Sequence, residues 1–221
     1  MKKFLTILKT VSLFEGIDES DLQSLLSCLC AKTESFDKKQ IVFMNGDSAE
    51  KVGIVLSGQV QVVKEDYYGN TAIVGIVNVG GLFGETFACA DIKILPVSVI
   101  TTTESEILFI DYRKIINQCN NSCSFHSKLI YNMMKILAMK NIMLNQKIEL
   151  ISKKTTREKL LAFLYSTAKK TKSNTFTIEY NRQELANYLS VDRSAMSAEL
   201  CKMRDEGILK FNKSQFELLM F

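Results

Sequence analysis

Asn181 and Asp192 each stand immediately before a run of helix-forming residues, Arg182–Leu189 and Arg193 to about Glu206. Short polar side chains at such positions satisfy the free amides of a helix's first turn, so both residues read as N-caps. Only Ser190-Val191-Asp192 separates the two runs, which is the spacing of a helix-turn-helix. The second helix of such a pair enters the major groove of DNA N-terminus first, and the side chains after its cap reach the base edges. Here those side chains are Arg193, Ser194, Ser197 and Ala198. The forked guanidinium of Arg193 matches the two acceptors of a guanine, a contact worth roughly 1–3 kcal/mol of discrimination. The plainer alternative is a packed helical hairpin with Arg193 as a solvated charge. The charge balance argues against it: residues 152–221 hold 13 basic and 8 acidic side chains, a net +5, whereas residues 1–151 hold 15 and 16, a net −1.

Other elements must hold this pair in place. Lys159–Ala168 reads as a helix with Leu160, Leu161 and Leu164 inward, and Thr175–Ile178 as a short strand. Gly207 stops the second helix of the pair. Ile208–Phe211 and Gln215–Leu219 then flank Asn212-Lys213-Ser214 as a hairpin wing.

The front of the chain has a different texture. Nine of the ten glycines lie between Gly16 and Gly84, and only Gly207 follows, which predicts two domains. Phe14-Glu15-Gly16-Ile17 reads as a turn, and Asp18 as the cap of a helix carrying Leu22, Leu25, Leu26 and Leu29. Six β-type runs follow: Gln40–Met44, Val52–Leu56, Gln59–Lys64, Thr71–Val77, Val97–Thr103 and Glu106–Ile110. Asn45-Gly46-Asp47, Ser57-Gly58, Tyr68-Gly69-Asn70 and Gly80-Gly81 supply the turns. Short strands at such spacing predict an antiparallel barrel or jelly roll. Enzymes on jelly rolls of the cupin type hold a metal with several histidines. This segment has none, so it reads as a binding fold.

From about Ser122 to Ile151 there is neither glycine nor proline. Apolar residues recur at alternating steps of four and three, through Ile130, Met134, Leu137, Asn141, Leu144, Ile148 and Ile151. That is a coiled-coil seam about three heptads long, and the polar Asn141 within it is the usual device for fixing register and strand number. A second stripe, Leu129, Met133, Ile136 and Met143, is left to face the roll. The seam then predicts a homodimer.

Composition narrows the chemistry further. With 47% apolar and 24% charged residues the chain has ordinary globular proportions, and no stretch reaches a membrane span. Met1-Lys2-Lys3-Phe4-Leu5 has a basic start, but Lys9 and Thr10 break the apolar segment and no small-residue cleavage site follows, so no signal peptide is expected. A single histidine excludes sites built on two or three imidazoles. The six cysteines, Cys28, Cys30, Cys89, Cys119, Cys123 and Cys201, form no Cys-x-x-Cys pair and read as thiols in a reducing, cytoplasmic setting.

The run Asn181-Arg182-Gln183-Glu184-Leu185-Ala186-Asn187-Tyr188-Leu189, followed by Val191-Asp192-Arg193-Ser194-Ala195-Met196-Ser197, resembles the winged helix-turn-helix of the cyclic-AMP receptor/Fnr (Crp/Fnr) regulators. The resemblance extends over essentially the whole chain, the front half matching by its glycines and by Phe83-Gly84-Glu85. It implies an α+β fold: a cyclic-nucleotide-binding-type β-roll (jelly roll) over 1–117, a long dimerisation helix over 118–151, and a winged helix-turn-helix over 152–221. It further implies that Asn181, Arg182 and Gln183 meet phosphates and that Arg193 reads a guanine. Ser190 stands where the family usually has glycine; a left-handed serine there costs on the order of 1 kcal/mol. Cyclic-AMP-responsive members carry a glutamate and a second arginine where this chain has Ser194 and Ala198, so a TGTGA-type half-site is not expected.

The effector site implied by the resemblance centres on Gly84, Glu85, Thr86 and Phe87, with Ile142 and Met143 facing it from the long helix. In cyclic-nucleotide binders an arginine followed by serine or threonine, about ten residues after the Gly-Glu pair, neutralises the phosphate. This chain has Leu95-Pro96 there, with Lys93 as a nearby substitute. Burying a phosphodiester without a cation is costly. A small, largely apolar or weakly acidic effector, or none, is therefore expected in place of cyclic AMP. The iron–sulfur branch of the family needs four thiolates; Cys28-Leu29-Cys30 is too close and one short, although Cys119 and Cys123 sit near the helix start. A haem site would rest on His126 alone, which reads as a surface or packing residue.

The expectation is a cytoplasmic, homodimeric regulator of transcription that binds a near-palindromic duplex, with RNA polymerase and a small effector as further partners. It is not expected to be an enzyme or to engage a membrane. Two rivals remain: a ligand-sensing module that acts through protein partners, which leaves the net +5 segment unexplained, and an enzyme on the roll, for which no nucleophile–base pair is present.

Overall fold

A computed structural model describes residues 4–65, 67, 71–116 and 124–219. The Met1-Lys2-Lys3 start, the Tyr68-Gly69-Asn70 turn, Cys119, Cys123 and the 117/118 boundary lie outside the described residues. The chain divides into two compact units, Met1–Met139 and Lys140–Phe221.

The first unit begins with helices α1 (Leu5–Leu8) and α2 (Glu19–Cys28). Asp18 occupies the N-cap of α2 as expected, though its side chain makes no capping hydrogen bond. Leu22, Leu25, Leu26 and Leu29 are all buried. Eight strands follow: β1 (Lys32–Phe36), β2 (Ile41–Phe43), β3 (Lys51–Ser57), β4 (Val60–Glu65), β5 (Thr71–Val77), β6 (Leu82–Phe83), β7 (Ser98–Thr101) and β8 (Ser105–Asp111). They form two antiparallel sheets of four, ordered β1-β8-β3-β6 and β2-β7-β4-β5, which is the jelly roll expected from the turn spacing. Helices α3 (Glu85–Cys89) and α4 (Tyr112–Ile116) are short insertions.

Burial explains which strands were legible. On β3, Val52, Ile54 and Leu56 join Leu22, Leu26, Leu108 and Leu129 in one core, while Val55 joins Phe43, Phe83, Ile107 and Phe109 in another. A strand covered on both faces reads as a continuous apolar run. Strand β1, absent from the expectation, is Lys-Thr-Glu-Ser-Phe, an edge strand paired only with β8 and exposed over its first four residues. Nothing in its composition marks a strand. Gly53 lies in β3 because the Phe83 ring packs where a side chain would go: an added Cβ would stand 2.1 Å from the ring's Cζ.

Helix α5 (Ser124–Ile151) spans the division between the units. In the first unit Leu129 and Met133 are buried against the roll, and Ile136 is partly buried there. Met143, expected on the same stripe, is 63% exposed. Leu137, placed in the seam by its spacing, packs partly on the roll's core instead. Asn132 is buried, and its amide donates to the carbonyl oxygens of Leu13 at 2.9 Å and Glu15 at 3.0 Å, tying the N-terminal turn to α5.

The second unit holds the rest of α5, then α6 (Thr156–Thr171), β9 (Thr175–Thr177), α7 (Arg182–Leu189), α8 (Arg193–Asp205), β10 (Leu209–Asn212) and β11 (Gln215–Leu218). Leu160, Leu164, Leu185, Leu189, Met196, Leu200, Met203 and Leu209 form its core. Leu161, expected inward, is only partly buried. The wing is a three-stranded antiparallel sheet ordered β10-β11-β9, so the short upstream strand joins the expected hairpin.

Candidate functional site

The two helices of the pair begin and end where their caps dictate. The Asn181 side-chain oxygen accepts the amides of Gln183 at 2.9 Å and Glu184 at 3.0 Å, and the Glu184 carboxylate accepts the Asn181 amide at 2.7 Å. This reciprocal capping box fixes the first turn of α7. Asp192 Oδ1 accepts the Ala195 amide at 2.8 Å and the Ser194 hydroxyl at 2.5 Å, opening α8. The Ser194 hydroxyl and then the Ala195 amide hold the Asp192 carboxyl below the usual aspartate range. A depressed carboxyl stabilises the fold above its unfolded value and loses that contribution as pH falls through the folded one.

Ser190 sits between the helices at φ 51°, ψ 57°, the left-handed conformation expected to strain it. Lys159 donates to the carbonyl oxygens of Leu189 and Ser190, both at 3.3 Å, which satisfies the end of α7. Ser190→Gly is expected to stabilise the chain by up to about 1 kcal/mol, read as a higher urea midpoint. An unchanged or lower midpoint would show that the serine carries no net strain.

Met196, Leu200 and Met203 bury one stripe of α8, and Arg157 pairs with Glu199 at 3.6 Å and with Glu206, anchoring α6 to that helix. Arg193, Ser194 and Ala198 are exposed, and Ser197 is half-buried. The Arg193 guanidinium makes no hydrogen bond or ion pair with the described residues, so its fork is available. The serines differ from it. Ser194 gives its hydroxyl proton to Asp192, and Ser197 gives its own to the Arg193 carbonyl oxygen at 2.9 Å.

The three residues at the start of α7 are likewise engaged within the unit. Asn181 caps the helix, and Gln183 donates to Asn187 Oδ1 at 3.0 Å. Arg182 lies over the rings of Phe211 and Phe216, at 5.0 and 5.1 Å, and burial pulls its guanidinium below the ordinary arginine value. This clamp between α7 and the wing was not legible in the sequence, because the two phenylalanines meet the arginine only once β10 and β11 fold back. Exposed charge comes instead from lysines that sequence reasoning did not single out, among them Lys202 on α8 and Lys213 at the wing tip, where φ is 51°.

In the roll, Gly84 caps α3 at φ 81°, and an added Cβ would lie 2.8 Å from the Lys51 carbonyl oxygen. Glu85 is buried and accepts the Thr86 hydroxyl at 3.0 Å; Phe87 packs on the inter-sheet core. That core is aromatic: Phe43 stands 5.4 Å from Phe83 and 5.6 Å from Phe109, and Phe36 6.1 Å from Phe109. Leu95 is buried, and Lys93 is held by Asp91 at 2.6 Å on the surface. Lys93 thus already has an anionic partner, which weighs against its role as phosphate substitute. Ile142 and Met143 are exposed on their stretch of α5. Clefts of about 450 and 250 Å³ open elsewhere on this unit, the first against Gly16, Lys128 and Tyr131, the second against Lys51, Asp111 and Arg113; Gly84–Phe87 lines neither.

His126 is a packing residue, 2% exposed, with Nε2 3.2 Å from the Lys114 carbonyl oxygen. Burial and then the charge of Glu85 raise the Cys89 thiol. Among the described residues no three His, Cys, Asp or Glu side chains are grouped to hold a metal, and no helix is long and apolar enough to cross a membrane.

The chain thus combines a double-sheeted roll, a long helix and a capped helix pair with a wing. Residues 33–122 match the cyclic nucleotide-binding domain family, and residues 158–220 match the Crp-like helix-turn-helix domain family. The chain belongs to the Crp/Fnr family of DNA-binding transcription regulators. Solved structures share the fold. The c-di-GMP responsive global regulator CLP of Xanthomonas campestris is 19% identical, with 92% of this chain and all of that one covered and a TM-score of 0.62. A mutant of CooA from Carboxydothermus hydrogenoformans is 21% identical over 89% and 86% of the two chains, with a TM-score of 0.59. The Thermus thermophilus catabolite activator protein is 19% identical over 94% and 93%, at 0.54. The potassium channel AKT2 of Oryza sativa subsp. japonica is 33% identical over 88 residues, which is 40% of this chain and 10% of the channel; the chain thus spans about a tenth of that curated relative.

Proposed function

We propose that the chain acts as a cytoplasmic homodimer that reads a near-palindromic DNA site and regulates transcription together with RNA polymerase. In this reading residues 1–117 sense, 118–151 pair the protomers and 152–221 bind DNA. The observation that carries it is the start of α8. Asp192 caps the helix, and the unengaged, exposed Arg193 follows directly, in a segment of net charge +5. Arg193 donates to a guanine, while exposed lysines neutralise phosphates and supply affinity without sequence choice.

Pairing is supported by α5. Met134, Leu144 and Ile148 recur at heptad-like spacing and are 65%, 60% and 57% exposed, an apolar row that water disfavours. Asn141 lies among them and accepts from the Asn145 amide at 2.9 Å. Ile130 is half-buried at the start of the row. Two copies joined along this seam present recognition helices to half-sites about 34 Å apart.

The effector is a small, largely apolar or weakly acidic molecule near Gly84–Phe87, and not cyclic AMP. Buried Leu95 stands where a phosphate would need a cation, and Lys93 is already paired with Asp91. Its binding shifts the population of α5 packings, which sets the spacing of the two recognition helices.

Titration of the full chain on a duplex at rising salt tests the reading. If 6–10 phosphates are neutralised, affinity falls roughly 10³–10⁵-fold between about 50 and 200 mM salt. Binding indifferent to salt, or none, would favour a module that acts on proteins.

A further inference from the structure

We infer that Ala198 reads the 5-methyl group of a thymine, further along the recognition helix than the guanine contact of Arg193. The inference rests on the DNA-binding reading above and adds the identity of a second base. Ala198 precedes the fully buried Leu200 by two residues, which places it about 160° away around the axis at about 100° per residue. It is exposed, and it shares its face with Ser194 one turn earlier.

Hydrogen bonding on that face leaves little choice. A hydroxyl has a single proton to donate. Ser194 gives its proton to Asp192 Oδ1 at 2.5 Å, and Ser197 gives its own to the Arg193 carbonyl oxygen at 2.9 Å. With their protons so engaged, both serines turn acceptor lone pairs toward a base. Donation from the first turns of α8 falls to Arg193. At position 198 the helix offers a bare methyl group. In the major groove only thymine presents an apolar group of its own. Adenine and guanine would turn polar edges to the alanine and leave them without a protein partner when water is excluded, and cytosine offers only a ring C–H that lacks the methyl's reach. Ala198 and the thymine methyl thus form an apolar contact that discriminates by fit.

Deoxyuridine lacks only the methyl group of thymidine, so it isolates this contact. Duplexes recovered by the full-length chain from a random library would carry deoxyuridine in place of thymidine, one position at a time in both half-sites. Affinities would be measured by anisotropy for wild type, Ala198→Gly and Ala198→Ser. The serine variant guards against the weaker helix that glycine produces. For wild type, one thymine per half-site should show a loss of about threefold to tenfold on methyl removal. Both variants should bind the thymine duplex more weakly and show no further loss with deoxyuridine at that position. Wild type indifferent at every thymine, or a methyl dependence that persists in both variants, overturns the inference while Arg193-dependent binding stands. Failure to recover any Arg193-dependent site overturns the DNA-binding reading itself.

Discussion

Arg193→Ala is expected to lower affinity for the preferred duplex by about 1–3 kcal/mol per half-site, and to abolish preference at one base pair in each. With two protomers on one site the losses combine, because the half-sites are far enough apart to behave additively. The fold should survive, since the guanidinium makes no hydrogen bond or ion pair with the described residues and Asp192 still caps α8. Anisotropy titration at fixed salt measures the loss, and a urea midpoint close to wild type shows that it does not come from unfolding. Affinity for unrelated duplexes should change little, because that term comes from phosphate contacts. A variant that keeps full preference would move base reading away from the start of α8.

The second large effect concerns pairing. Leu144→Asp places two carboxylates in the seam, and each costs several kcal/mol to desolvate without a partner. Sedimentation at micromolar concentration should then show a species of the 25.0 kDa chain mass in place of one of twice that mass. DNA affinity should fall together with the dimer, since each monomer meets one half-site. Leu144 is 60% exposed in the single chain, so the variant fold remains intact. A dimer that persists would move the interface off this stripe of α5.

Much of the DNA-binding half was legible because local chemistry decides it. Asn181 and Asp192 mark helix starts by offering side-chain oxygens to first-turn amides, and Gly207 marks an end by its left-handed backbone; the structure places α7 and α8 within a residue of the expected limits. The left-handed Ser190 was legible through the family resemblance, which places a glycine at that turn. Strands β3 and β8 announced themselves by apolar runs that are buried on both faces. Strand β1 did not, because its partner β8 is distant in sequence and its own side chains are polar and exposed. Long-range packing also decided the fate of Arg182. The resemblance implies a phosphate contact for it, and the Phe211 and Phe216 rings over which it lies come from the wing. Ser194 and Ser197 had the right chemistry for base reading, and only geometry shows where their protons are committed. On α5 the heptad spacing was visible, but not that Leu137, in the seam by spacing, packs partly on the roll's core.

The most direct measurement is selection of bound sequences from a random duplex library by the full-length chain, with and without added cell extract. The expected result is a two-fold symmetric motif with a fixed guanine in each half-site, centres about one helical turn apart. Enrichment that appears only with extract would place an effector upstream of binding. No enrichment in either condition would contradict the reading of Arg193 and its helix as the part of this protein that meets DNA.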